Sequence, residues 1–122
     1  MSDLPRQLLA RWLQAVCGGY PYRVVDLYMP DAVLLPTVEE LAVGKEEIRA
    51  YFEKFLSKDD LCGEVNSLIV QCTPASIITS GIYTFAWEEN DMPKTVRARY
   101  SFVFVSTDQG WLILNHHSSK VP

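Results

Sequence analysis

The stretch VRARYSFVFVSTDQGWLILNHHSS, residues 96–119, alternates in character with a period of two on either side of a short polar joint at Thr107 to Gly110. Successive side chains of a strand point to opposite faces, so the pattern reads as two strands, about Lys94 to Val105 and Trp111 to Ser119, folded as an antiparallel hairpin. The first strand divides into a polar face of Arg97, Arg99, Ser101, Val103 and Val105 and an apolar face of Ala98, Tyr100, Phe102 and Phe104. The second ends in two histidines and two serines, with His116 and Ser118 on one face and His117 and Ser119 on the other. Only one pair can line an interior pocket. A two-residue loop at Asp108-Gln109 would set Arg99 opposite Ser118, and one more loop residue would set it opposite Ser119, so the sequence leaves the choice open.

Working outward, two more strands are expected at about Glu64 to Cys72 and Ala75 to Trp87, joined through turn formers at Thr73-Pro74 and Glu88 to Pro93. The second half is thus an antiparallel meander. The first half carries the helical period instead. Leu8, Leu9, Trp12, Leu13 and Val16 mark one helix, opened by Ser2 or Asp3 with Pro5 in the first turn and closed by Gly18-Gly19. A short second helix is expected within Tyr20 to Tyr28, a short strand at Ala32 to Leu35, and a third helix from Gly44 through Ile48, Phe52 and Phe55 to Ser57. Helices first and strands afterwards predict an α+β domain spanning residues 1–122, with three helices packed on one face of a strongly curved, mostly antiparallel sheet.

Composition excludes several function classes. Eleven basic against fifteen acidic residues, with the basic ones scattered, form no electrostatic footprint for nucleic acid. No apolar run approaches a membrane span and no leader is visible, so no membrane partner and a cytoplasmic location are expected. Cys17, Cys62 and Cys72 have neither framework nor zinc-site spacing. Two adjacent strand histidines cannot converge on one ion, so neither a metal nor another cofactor is expected. Read alone, His-His-Ser-Ser is the satisfied end of a buried strand, Thr37 a turn residue, and Tyr28, Tyr51 and Tyr83 core tyrosines.

The order of the pieces resembles the nuclear-transport-factor-2-like (SnoaL-like) superfamily and, within it, the association domain of calcium/calmodulin-dependent protein kinase II. The likeness runs through the Trp12 helix, VVDLYMPDAVLLPT (24–37), IRAYFEKFL (48–56), SGIYTFAW (80–87), VRARYSFVF (96–104) and WLILNHHSS (111–119). A narrower resemblance, to the metal-independent iota-class carbonic anhydrase group, rests on DAVLLPT (31–37), the Tyr51-Phe52 pair and the terminal HHSS followed by proline. That resemblance implies a cone-shaped fold and reversible hydration of carbon dioxide to bicarbonate. Thr37, Tyr51, His117 and Ser119 would be the catalytic residues and Arg99 would hold the anion, with His117 as the base. The wider resemblance implies the alternative, a non-catalytic domain that forms a homodimer or higher homo-oligomer or binds a small ligand.

Overall fold

The computed structural model describes residues 3–122. Helix α1 spans Leu4–Gly18 and buries Leu8, Leu9, Trp12 and Val16, positions that recur on one helical face. It starts after Asp3, whose carbonyl oxygen accepts the Gln7 N–H at 2.9 Å while its side chain makes no cap. Ser2, the other expected cap, lies outside the described residues. Gly19 ends the helix at φ 80°, a left-handed conformation that glycine adopts without steric penalty. Helix α2, Pro21–Val25, is shorter than the expected segment, and Tyr28 opens strand β1 (Tyr28–Leu35) instead. Strand β2 is only Ala42–Val43, and it leads straight into helix α3, Gly44–Phe55. There Glu47 accepts the free Val43 N–H at 2.9 Å, and Glu46 and Glu47 sit where the helix dipole favours negative charge.

Strands β3 (Asp59–Cys72), β4 (Ser76–Glu89), β5 (Met92–Thr107) and β6 (Gly110–Lys120) form the expected meander. Asn90 and Asp91 join β4 to β5 with φ 53° and 62°, the paired positive values that match the twist of a two-residue hairpin. The six-stranded curved sheet runs β2-β1-β6-β5-β4-β3, and β1 lies parallel to β6, the one parallel pairing in it. Trp12 of α1 packs on Tyr83, Phe85 and Phe102, and Phe52 of α3 on Tyr28, so both helices close over the same sheet face.

One irregularity governs which side chains reach that face. The β5–β6 loop has the two residues Asp108 and Gln109, and the ladder begins with Thr107 opposite Gly110 and continues to Phe104 opposite Ile113. The next pair is Val103 with Asn115, so Leu114 is an extra residue, a β-bulge. Beyond it the parity of β6 is inverted. Ile113 faces inward with Phe104, and after the bulge His116, beside Phe102, and Ser118, beside Tyr100, face inward too.

A second constraint sits on β4. A Cβ on Gly81 would lie 2.1 Å from the Ser67 carbonyl oxygen, which also accepts the Tyr100 hydroxyl at 2.8 Å. Gly81→Ala should therefore lower folding stability by about 2 kcal/mol or more, since backbone on both strands must separate. Urea denaturation read by circular dichroism checks this, and an unchanged midpoint would refute the close approach.

Candidate functional site

The inner sheet face and the helices leave a cavity of about 330 Å³ at one end of the core. Three aromatic side chains from β4, Tyr83, Phe85 and Trp87, form one wall, and Tyr51, Phe52 and Phe55 of α3 form the opposite one. The segment after β1 closes a third side with Pro36, Thr37 and Val38. Room exists because β5 presents the small Ala98 to this space, between its ladder partners Tyr83 and Lys120.

His116 lies at the floor and is 3% exposed. Its ring stacks on Phe102 at a centroid distance of 3.9 Å and meets the Trp12 ring edge-on at 5.2 Å. Nδ1 is hydrogen-bonded with the Tyr28 hydroxyl at 2.9 Å and Nε2 with the Tyr83 hydroxyl at 3.2 Å. The Trp12 indole N–H donates to the same Tyr28 oxygen at 3.0 Å. Ser118, one inward position further along β6, is hydrogen-bonded to Thr37 at 2.5 Å. Hydrogen bonds thus connect Trp12, Tyr28, His116 and Tyr83, and Ser118 and Thr37 form a separate pair at the cavity. The Tyr51 hydroxyl makes no hydrogen bond within the described residues, and the indole N–H of Trp87 is buried without an acceptor.

Burial sets the protonation states. Desolvation, assisted by the charge of neighbouring His117, lowers the His116 pKa from 6.5 to about 3, so the ring is neutral at physiological pH. Desolvation raises Tyr28, Tyr51 and Tyr83 above the usual phenol range, with Glu39 adding to the effect at Tyr51. These hydroxyls keep their protons. Charge is confined to the rim, where Lys54 pairs with Glu39 at 2.9 Å and the Lys58 ammonium lies 4.5 Å from the centre of the Trp87 ring. Among the described residues no three His, Cys, Asp or Glu side chains converge as a metal site.

The structure brings together two of the five residues expected at the site and separates the other three. Thr37 and Tyr51 line the cavity. His117, Ser119 and Arg99 do share a face, Arg99 opposite Ser119, but it is the outer one, and none of them reaches the cavity. The correction has two causes: Arg99 faces outward in either register because it alternates with the inward Ala98 and Tyr100, and the bulge at Leu114 shifts β6 by one residue, which turns His117 and Ser119 outward and sets Ser119 opposite Arg99. Tyr28, Tyr83 and Trp12 are the polar partners that sequence reasoning took as core residues. The available signal was the apolar face of β5: a pocket that opens from the core must share the face of Ala98, Tyr100 and Phe102, and hence cannot share that of Arg99.

Adjacent histidines should therefore respond differently to substitution. His116→Ala strands two buried hydroxyls and opens a cavity, and should cost about 2–4 kcal/mol, whereas His117→Ala should stay within about 0.5 kcal/mol in the monomer. Equal midpoints in urea would contradict this placement. The folded-state pKa of His116 lies below the unfolded one, so its contribution to stability is complete above about pH 6.5 and is lost as pH falls towards 3. The loss should approach about 1.4 kcal/mol per pH unit between roughly pH 6 and 4.5 and be absent from His116→Phe, a difference readable from urea midpoints across pH.

Known proteins agree with this architecture. The family model for the calcium/calmodulin dependent protein kinase II association domain matches residues 5–122. A candidate association domain of that kinase from Xanthomonas campestris is 43% identical, with a TM-score of 0.88 over 94% of this chain and 84% of that one. The kinase II hub of S. rosetta superposes with a TM-score of 0.84 at 19% identity, covering 98% of this chain and 96% of the hub. A nuclear transport factor 2-like protein from Salmonella enterica gives 0.85 at 14% identity, covering 95% and 87%. No curated protein matches. With the family model matching nearly from end to end, this chain belongs to the calcium/calmodulin dependent protein kinase II association domain family.

Proposed function

We propose that this chain is a homo-oligomerising domain whose cone-shaped cavity binds a small organic molecule. The observation that carries the reading is the cavity itself: aromatic walls enclosing about 330 Å³ above a floor of hydroxyl groups, the form of a site that buries an apolar body and fixes a few polar atoms. Its histidine supports binding over base catalysis. Both ring nitrogens are engaged by tyrosine hydroxyls and the pKa is depressed to about 3, so His116 offers no free, suitably basic lone pair near neutral pH.

Assembly is supported by the sheet's other face. Ile78, Ile82, Val103 and Val105 form an apolar strip there with no helix over it among the described residues, and Ile78 and Val103 are ladder neighbours. Membership of an association-domain family, and likeness to a protein described as a hub, favour a second copy as the cover. Arg99 and His117 border this strip and belong to contacts between copies in this reading.

A second reading is metal-independent hydration of carbon dioxide, favoured by the presence of Thr37, Tyr51, Ser118 and His116 in the lining of one cavity. The histidine-serine pair would then be His116 and Ser118, and bicarbonate would be held by hydroxyls without an arginine. Stopped-flow carbon dioxide hydration with a chelator present separates the two. The binding reading expects no acceleration over buffer, and an acceleration abolished by Tyr51→Phe would replace it with the catalytic one.

Two substitutions divide the roles. Val103→Glu places an unpaired charge in the outer strip and should weaken self-association by about two orders of magnitude, some 3 kcal/mol, in multi-angle light scattering, while leaving the cavity intact. Ala98→Phe should fill the cavity and abolish ligand uptake without changing the oligomer. An oligomer indifferent to Val103→Glu would move the interface elsewhere.

A further inference from the structure

The side of the cavity that Pro36, Thr37 and Val38 close is built differently from the other two. Tyr83, Phe85 and Trp87 stand on β4, which is paired with both β3 and β5, and Tyr51, Phe52 and Phe55 stand on a twelve-residue helix, so backbone hydrogen bonds hold both of those walls. Residues 36–41 belong to no helix or strand, and among the described residues they make no backbone–backbone hydrogen bond. Two side-chain links tie them down: Thr37 to Ser118 at 2.5 Å, and the Lys54 ammonium to Glu39 at 2.9 Å. The ion pair stands in water, its side chains 73% and 41% exposed, so it holds weakly and is screened by salt. Both ends of the segment are pinned. Leu35 pairs with His117 and Leu34 with Ala42, which sets entry and exit side by side and gives the segment one hinge line, about which it turns without breaking a strand pair. Val38 lines the cavity yet is 78% exposed, apolar surface that closing over a bound body covers.

We propose that residues 36–41 are the door of the cavity, a flap latched to α3 by the Glu39–Lys54 ion pair that swings out to admit a molecule and closes behind it. Opening carries Thr37 away from Ser118 as well. A guest that touches Val38 or Thr37 therefore favours the closed flap, and occupancy and closure are coupled. The use of the flap as a door rests on the reading of the cavity as a ligand site, but its opening does not.

Alkylation of a thiol placed inside the cavity reads the opening. Ala98 lines the inner wall and is 1% exposed, and Cys17, Cys62 and Cys72 are all exposed, so Ala98→Cys combined with Cys17→Ser, Cys62→Ser and Cys72→Ser leaves one thiol, within the cavity. Iodoacetamide, a neutral reagent, then labels this parent at a rate set by the open population. Glu39→Gln should raise that rate roughly two- to fivefold, and about 0.5 M sodium chloride should do the same in the parent but not in Glu39→Gln. Exchanging the charges, Glu39→Lys with Lys54→Glu, should return the rate to within about twofold of the parent. Equal rates in the parent and Glu39→Gln, or an exchanged pair as fast as either single change, overturn the latch. Lys58→Met, on the Trp87 side of the mouth, should leave the rate unchanged; acceleration there with none in Glu39→Gln overturns the proposal by moving the door to that side. So does a rate that climbs with urea as steeply as global unfolding, since the thiol is then reached through the unfolded chain. If Ala98→Cys fails to fold, Val96→Cys on the same strand and in the same lining serves with the same expectations. Indole, as an aromatic probe, should slow labelling of the parent. Should it give no protection while the dependence on the latch persists, the ligand reading falls and the flap stands.

Discussion

A neutral imidazole buried among aromatic rings must have both nitrogens satisfied, and that demand at His116 organises the interior. Tyr28, from the first residue of β1, meets Nδ1, and Tyr83, from the middle of β4, meets Nε2. Trp12 meets Tyr28 from α1, so one ring ties together the N-terminal helix, the strand parallel to β6, and the meander. Each link is worth only about 1 kcal/mol when made, but leaving one donor or acceptor unmatched in this environment costs more. The network therefore selects one packing among several that would bury similar apolar area. It also explains why an apolar strand changes to polar residues at its end: the first of them closes the core and the next inward one opens the cavity.

Position of the ring depends in turn on the bulge at Leu114. Without the extra residue, β6 would continue with the parity of Ile113, and His117 and Ser119 would enter the core in place of their neighbours. A β-bulge also increases local twist, and here it lies where β6 leaves its early contact with Tyr28 and resumes pairing with β1 at Val33. The β1–β6 register breaks over the same interval, so both neighbours of β6 accommodate the same irregularity.

The parts of the fold that were legible in the sequence were those fixed by periodicity over many residues. Four long strands, their turns and the Trp12 and Phe52 helices follow from alternating or helical apolar patterns and from glycine, proline and asparagine at the joints. A two-residue strand such as β2 has no period to read. Val24, Val25 and Leu27 suggest a helix that reaches Tyr28, yet a parallel pairing with Ile113 of β6, far along the chain, determines its conformation. The bulge left no local mark either: Trp111-Leu-Ile-Leu-Asn115 contains no glycine, and either parity of that run presents apolar residues inward. Thr37 and Tyr51, named through resemblance, line the cavity, whereas His117 and Ser119 lie on the other face of β6, because the bulge that shifts their parity leaves no trace in the spacing from Trp111.

The two faces of one sheet consequently carry different physics. Inward, His116, Ser118 and Thr37 work in a region where desolvation suppresses charge, so recognition there must come from the placement of neutral donors. Outward, Arg97, Arg99 and His117 are exposed beside an apolar strip. A strand alternates between these environments every 3.3 Å or so, and a single bulge exchanges them. Adjacent residues of identical chemistry thereby acquire opposite tasks, and the assignment is made by backbone register alone. Any relative with a straight β6 and the same histidines would present the other pair to its cavity, which makes the bulge, more than the identity of the polar residues, the feature that decides what this pocket can hold.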